Sequence, residues 1–187
     1  GAQLTDLGPE ARCMTCHQGR ESSLSLQAHI DSKAPADDDT QAGLSFQNIH
    51  YFAAGATLYG GLGKGAAEYP GKNYNGLSTH VDDYNTCIEC HDPHTLEVRF
   101  DECAVCHPGT TDGATARDTI RMARSVRDYD GDGNITEGIF GEIDTMTTTL
   151  YGAMQDYATT VLTMPIVYDS HAYPYFFNDL NANGVSD

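Results

Sequence analysis

The chain contains no tryptophan and is short of positive charge: 10 Lys and Arg stand against 27 Asp and Glu, a formal net charge of -17 over 187 residues. A nucleic-acid binder needs a basic footprint to displace counterions, so a partner of that kind is excluded. The same acidity opposes docking on an anionic membrane surface. No run of about 18 or more apolar residues occurs, so no segment reads as a membrane span. The opening "GAQLTDLGPE" has no charged start followed by an apolar stretch, and reads as a chain whose leader has been removed. Apolar residues make up only 40% of the sequence, which is low for burying a core. At this length one domain is expected, with something besides side chains filling its middle.

Cysteine is absent outside three short motifs, "CMTCH" (Cys13, Cys16, His17), "CIECH" (Cys87, Cys90, His91) and "CAVCH" (Cys103, Cys106, His107). C-x-x-C-H is the spacing of covalent c-type haem attachment: both thiols form thioethers to the porphyrin, and the next residue brings its imidazole under the iron. Three motifs predict three haems. No cysteine is left for a disulfide. A zinc reading pairs C-x-x-C knuckles to collect four ligands, and three knuckles leave one unpaired. A dithiol redox reading asks for a single C-x-x-C between a strand and a helix, not three copies in Gly- and Pro-rich surroundings.

The chain has eight histidines. Those outside the motifs are His29, His50, His80, His94 and His171, five candidates for three sixth-ligand positions. His50 lies in the apolar stretch "NIHYFAAGA", where an unpaired imidazole is costly to bury and a ligand is not. His80 precedes the second motif. His94, in "CHDPH", cannot reach the far face of the haem that His91 serves, so it is expected on a neighbouring one. His50, His80 and His94 are therefore the expected distal ligands, with His171 and then His29 in reserve. Methionine as sixth ligand would raise the potential. Met122, Met146 and Met154, however, fall in helical patterns and read as core, and Met14 and Met164 are weaker candidates still. Low-potential bis-histidine haems are expected.

Between the motifs, "CMTCHQGRESSLSLQAHI" predicts the start of a short helix, Asp31 to Gly43 an acidic loop, "FQNIHYFAAGATLYG" a helical turn or two, and Gly60 to Gly76 a long Gly-rich loop. The "GLGKG" in that loop is not a phosphate loop, because Gly65 stands where Ser or Thr is required. Farther on, "DYDGDGNITEGI" sets Asp128, Asp130, Asp132, Asn134 and Thr136 at positions 1, 3, 5, 7 and 9 of an EF-hand calcium loop, with Gly133 at 6. Position 12 is Ile139, so Glu137 or Glu142 must swing in. Ala116, Ile120, Ala123 and Arg127 predict a helix entering the loop. Ile139, Ile143, Met146, Leu150, Met154, Tyr157 and Val161 predict one leaving it. "NDLNANGVSD" repeats the idea with Asp179, Asn181, Asn183 and Asp187 around Gly184, as a second ion site, a shared one or a polar turn. The aromatic run Tyr173 to Phe177 either packs over a haem in its own chain or forms an interface. The sequon at Asn134 falls inside the calcium loop and is discounted.

The expected fold is mainly irregular and loop-rich, with short α-helices around a haem core, a C-terminal helix–loop–helix and little or no β. Residues 1–112 form the triple-haem region. Residues 113–187 form the calcium-loop region with its aromatic C-terminal segment, packed on the first as one domain. The three C-x-x-C-H motifs, "NIHYFAAGA", "CHDPH", "DYDGDG" and "YPYFF" together resemble the multihaem c-type cytochromes of extracellular electron transfer, including those that polymerise into haem-lined filaments. The resemblance implies maturation outside the cytoplasmic membrane, hence the cell exterior or the periplasm. It also implies redox proteins or extracellular acceptors as partners, and in the filament group assembly with copies of itself, where a distal histidine can come from the next subunit. A monomeric shuttle is the alternative. A multihaem reductase would need an open iron and basic groups to receive an anionic substrate, which so few Lys and Arg make hard to assemble. A haem sensor would need an output domain, for which there is no room.

Overall fold

The computed structural model describes every residue except Gly1, Tyr51, Ala66, Met122, Ala123 and Asp187; the expectations placed on Met122, Ala123 and Asp187 lie outside the described residues. The chain packs as two units, Gly1–Cys90 and His91–Asp187. Short helices and loops dominate both, and the described β-structure is one small hairpin and an isolated bridge. None of the described helices is long and apolar enough to cross a membrane.

The first unit holds a 3-10 turn at Gly8–Glu10 followed by α1 (Ala11–His17), α2 (Ser23–Asp31), α3 (Ala54–Gly63) and α4 (Cys87–Cys90). A capping box starts α2: Ser22 Oγ accepts from Ser25 N–H while Ser25 Oγ accepts from Ser22 N–H, so two of the orphan donors of a helix start are satisfied reciprocally. The packing of α1 on α3 depends on Gly55. A Cβ there would lie 2.9 Å from the His17 carbonyl oxygen and closer still to Met14 Sδ. The Gly-rich loop expected from residue 60 begins later than the composition suggests, because α3 runs on to Gly63 through a kink at Gly60 (φ 43°, ψ -130°). Only glycine adopts that conformation readily, and a Cβ at Gly60 would stand 2.6 Å from the Asn75 carbonyl.

The second unit holds α5 (Phe100–Cys103), α6 (Gly113–Thr119), α7 (Ile139–Thr160), β1 (Ile166–Tyr168) and β2 (Phe176–Asn178). The strands pair antiparallel with Val167 opposite Phe177. The helix entering the acidic loop stops at Thr119, short of the expected Arg127. Ile120 is extended, and Arg121 turns its guanidinium onto the Glu137 and Arg127 carbonyls and the Glu142 carboxylate, so the chain folds around that side chain instead of continuing the helix. The first N–H groups of α7 are met by that turn: Gly138 N–H donates to Asp118 O at 2.9 Å and Ile139 N–H to Ile120 O at 2.8 Å.

Met14, Ala56, Ala116, Ala158 and Val167 are the buried hydrophobic residues among those described. None of these is aromatic. Met146 and Met154, expected in the core, are 41% and 38% exposed. So is the whole apolar stripe of α7, with Ile143 at 50% and Leu150 at 62%. The helix packs on the hairpin through other residues: Gln155 donates to the Ile166 carbonyl, Tyr151 Oη accepts from Tyr168 N–H, and Ala158 is buried. The aromatic run is drawn into the hairpin at Phe176 and Phe177, Phe176 lying 5.1 Å from the Tyr168 ring, while Tyr173 stays 67% exposed.

Candidate functional site

No two of the six cysteines are joined in a disulfide. Cys13, Cys16 and His17 lie on α1, which brings both thiols and the imidazole to one short helix. His17 Nδ1 is 2.6 Å from the Phe52 carbonyl oxygen. His91 repeats the arrangement, with Nδ1 3.0 Å from the Leu96 carbonyl oxygen. A carbonyl acceptor fixes the proton on Nδ1 and directs Nε2 away as a neutral donor, the orientation a metal-ligating histidine requires. The loop that supplies the Leu96 carbonyl is tied by Asp92, whose Oδ1 accepts from His94 N–H and Thr95 N–H; these bonds hold its carboxyl below the usual range.

The second motif begins on α4, at whose start the N–H groups of Asn85, Thr86 and Cys87 are met by carboxylates. Glu89 Oε2 accepts from Asn85 N–H and Thr86 N–H, each at 2.7 Å, and these bonds lower its pKa. Glu10, the residue before α1, is buried and accepts from Cys87 N–H at 2.7 Å. Its other oxygen lies 3.5 Å from Tyr59 Oη. Burial, then the Glu10 carboxylate and the Cys13 thiol beside it, push the Cys87 thiol up to about 11. Nothing in the sequence pattern announced Glu10; an acid preceding a motif helix is indistinguishable from a surface charge until the fold brings Cys87 to it.

In the third motif, His107 N–H donates to the Cys103 carbonyl at 2.9 Å, and the wholly buried Thr110 donates its hydroxyl to the His107 carbonyl at 2.7 Å. Cys106 and His107 open onto a cavity of about 430 Å³ whose other walls include Arg121, Arg124, Ile135 and Thr136. A thiol and an imidazole sharing a cavity with apolar and cationic groups suit a flat apolar ring that carries carboxylates.

The remaining histidines are dispersed. His50 is half-buried, in the left-handed region at φ 66°, and its N–H donates to Asn48 Oδ1 at 2.8 Å. His94 and His171 follow the same turn, their N–H groups donating to Asp92 and Asp169 two residues earlier. "NIH", "DPH" and "DSH" thus share an Asx-x-His device, a signal present in the sequence itself. His80 is exposed, its N–H donating to Asn85 Oδ1 and its ring edge-on to Tyr84. His29 differs from these, because its Nε2 accepts from Ser45 N–H at 3.2 Å.

The acidic loop is organised by its own backbone. Asp128 accepts from Gly131 N–H and Gly133 N–H, which hold its carboxyl below the usual range. Asp130 accepts from Asp132 N–H, Asp132 from Asn134 N–H, and Asn134 from both the N–H and the hydroxyl of Thr136. Asp130 Oδ2 and Glu137 Oε1 are buried oxygens with no hydrogen-bond partner. Burial, then Asp132, Asp130 and Glu142, push Glu137 up despite Arg121. Asp130, Asp132 and Glu137 bring carboxylate oxygens within 4.8 Å of one another, as do Asp128, Asp130 and Glu142. Of the two acids expected to replace position 12, Glu142 has both oxygens engaged: one by Arg121, the other by Tyr129 N–H and Asp130 N–H. Burial alone would raise its pKa, but these partners hold it down.

The second loop copies the first. Asp179 Oδ2 accepts from Gly184 N–H at 2.9 Å, as Asp128 Oδ2 does from Gly133 N–H at 2.9 Å. Asn181 accepts from Asn183 N–H and Asn183 from Val185 N–H, matching Asp130 and Asp132.

Two curated relatives resemble the chain along nearly its whole length. One is the "C-type polyheme cytochrome OmcB" of Geobacter sulfurreducens, 28% identical over 97% of this chain and 23% of the relative. The other is the "C-type polyheme cytochrome OmcC" of the same organism, 30% identical over 94% of this chain and 22% of the relative. The chain therefore spans less than a quarter of the length of these relatives. No family model and no solved structure matches it.

Proposed function

The chain belongs with the multihaem c-type cytochromes, and from that premise we propose that it carries electrons through three haems attached at Cys13 and Cys16, Cys87 and Cys90, and Cys103 and Cys106. His17, His91 and His107 are the proximal ligands. The observation that carries this reading is the shared engagement of His17 and His91 Nδ1 by backbone carbonyls. It leaves Nε2 of each as the donor, next to a pair of thiols. The scarcity of buried apolar side chains supports porphyrins as the missing body of the core. The haems supply one-electron chemistry; the polypeptide fixes their spacing and shields them from water. Arg124, which lines the cavity beside His107, would meet the carboxylates of the third haem. His50, His80 and His94 supply the distal donors, and His171 stands in reserve.

The chemistry divides at residue 112, beyond which no attachment motif occurs. Calcium is held by Asp128, Asp130, Asp132, Asn134 and Thr136, with Glu137 in the place of the missing position-12 carboxylate. The orphaned oxygens of Asp130 and Glu137 support a cation there, since a buried oxygen without a partner is costly. The matching turn at Asp179, Asn181 and Asn183 supports a second ion.

The protein works outside the cytoplasmic membrane, at the cell surface or beyond it, with redox proteins or extracellular acceptors as partners. The exposed apolar stripe of α7 supports contact with further copies in a filament, because an apolar face of that extent is uncomfortable in water. The withdrawal of Phe176 and Phe177 into their own hairpin favours a second reading, a monomeric shuttle. Electron paramagnetic resonance of the matured, oxidised protein tests the ligation. Every haem is expected to be low-spin, and a stoichiometric high-spin ferric signal would contradict bis-histidine coordination.

A further inference from the structure

We propose that Glu10 is a positioning residue for electron exchange between the haems at Cys13 and Cys87, pinning the two attachment points side by side and holding both potentials low. The proposal rests on the haem reading above. Glu10 and Cys87 are 77 positions apart in sequence, yet the Glu10 carboxylate lies 2.7 Å from the Cys87 nitrogen and is only 6% exposed. The Cys13 side chain, one turn along α1, lies beside that of Cys87. The first sulfurs of two motifs therefore meet at one buried carboxylate, and the two haems grow from adjoining points.

A neutral side chain would satisfy the Cys87 N–H equally well, so the choice of an acid has a separate consequence. Among the described residues Glu10 forms no ion pair with Lys or Arg; its carboxylate is met by Cys87 N–H and the Tyr59 hydroxyl. An unneutralised negative charge in a low-dielectric setting acts over a longer range than one in water. Ferric haem carries one more positive charge than ferrous haem, so this carboxylate stabilises the oxidised form and lowers the potential of both neighbours. Cys103 and Cys106 meet no such carboxylate among the described hydrogen bonds; Cys103 Sγ lies 3.7 Å from the Arg99 carbonyl oxygen.

The test is Glu10→Gln, which keeps the shape and an oxygen for Cys87 N–H and removes the charge. Haems are first counted by mass on peptides containing Cys13 and Cys87. Absence of haem there in the unaltered protein overturns the haem reading and this proposal with it. With three haems in place, titration with dithionite, followed optically, is expected to show two of the three midpoints shifted upward and the third unmoved. Three unmoved midpoints overturn the proposal while leaving the haem reading intact. Glu10→Asp, which retains the charge, is expected to shift the two midpoints less; an equal shift in both variants makes the effect one of packing and overturns the electrostatic role. Should neither variant mature, electron paramagnetic resonance of the unaltered protein decides. Magnetic coupling between at least two haems is expected, and three independent signals overturn the side-by-side placement.

Discussion

His17 and His91 hand Nδ1 to the carbonyls of Phe52 and Leu96, while His29 has Nε2 occupied by Ser45 N–H. Under the proposed ligation, that difference separates a histidine with Nε2 available to iron from one tied into a loop. Replacing His50, His80 or His94 by Ala is therefore expected to convert one haem per chain to high-spin, read by optical and paramagnetic resonance spectra, whereas His29→Ala leaves all haems low-spin. Glu137 carries a second prediction. Its folded pKa is raised above the ordinary carboxyl value of about 4.3, so the folded chain binds its proton more readily than the unfolded chain does. Stability from this group is then present below the unfolded pKa and falls as pH rises through the folded one. Asp128 runs the other way: its pKa is lowered, so its contribution is present above the unfolded value of about 3.9 and is lost as pH falls through the folded one. Glu137→Gln is expected to raise the melting temperature of chelator-treated protein and to abolish most of the gain on adding calcium, by roughly 3 kcal/mol at a hundredfold excess over the dissociation constant. A calcium gain undiminished by the substitution would remove Glu137 from the site.

The acidic loop and α7 were legible in the sequence because their signals are local: alternating acids closed by Gly133, and apolar residues spaced by three and four from Ile139 to Val161. The helix before the loop was read too long. The spacing of Ala116, Ile120 and Ala123 continues past Thr119, but Arg121 makes its bonds through a turn, and those partners lie far along the chain. Periodicity also said nothing about what α7 faces. It located the stripe and implied burial for Met146 and Met154, whereas the helix turns Tyr151, Gln155 and Ala158 toward the hairpin. The junction at Glu10 was illegible because its meaning comes from Cys87, on a different element. The exposed stripe gives this helix its own prediction. Leu150, 62% exposed, is far from the attachment motifs in sequence, so Leu150→Asp is expected to leave haem content unchanged and to prevent assembly in calcium-containing solution, as seen by electron microscopy. Assembly of this variant into filaments like those of the unaltered protein would exclude the stripe as the contact.

Taken whole, the chain carries 6 cysteines and 8 histidines in 187 residues, and among the described residues few apolar side chains are buried. Such a chain is expected to fold only as its cofactors are attached, since the apolar area that would otherwise offset chain entropy is missing. The acidity that excludes nucleic acid also makes neighbouring copies repel, so ions in the two Asx-rich loops would ease their approach. Each of these statements depends on the number of porphyrins covalently present. The intact mass of denatured, fully matured protein measures that number without reference to fold, ligation or assembly. The account predicts the polypeptide mass plus three haems, retained after denaturation because each is held by thioethers. A mass corresponding to two haems or fewer, or to a polypeptide from which the haem is lost on denaturation, would contradict it.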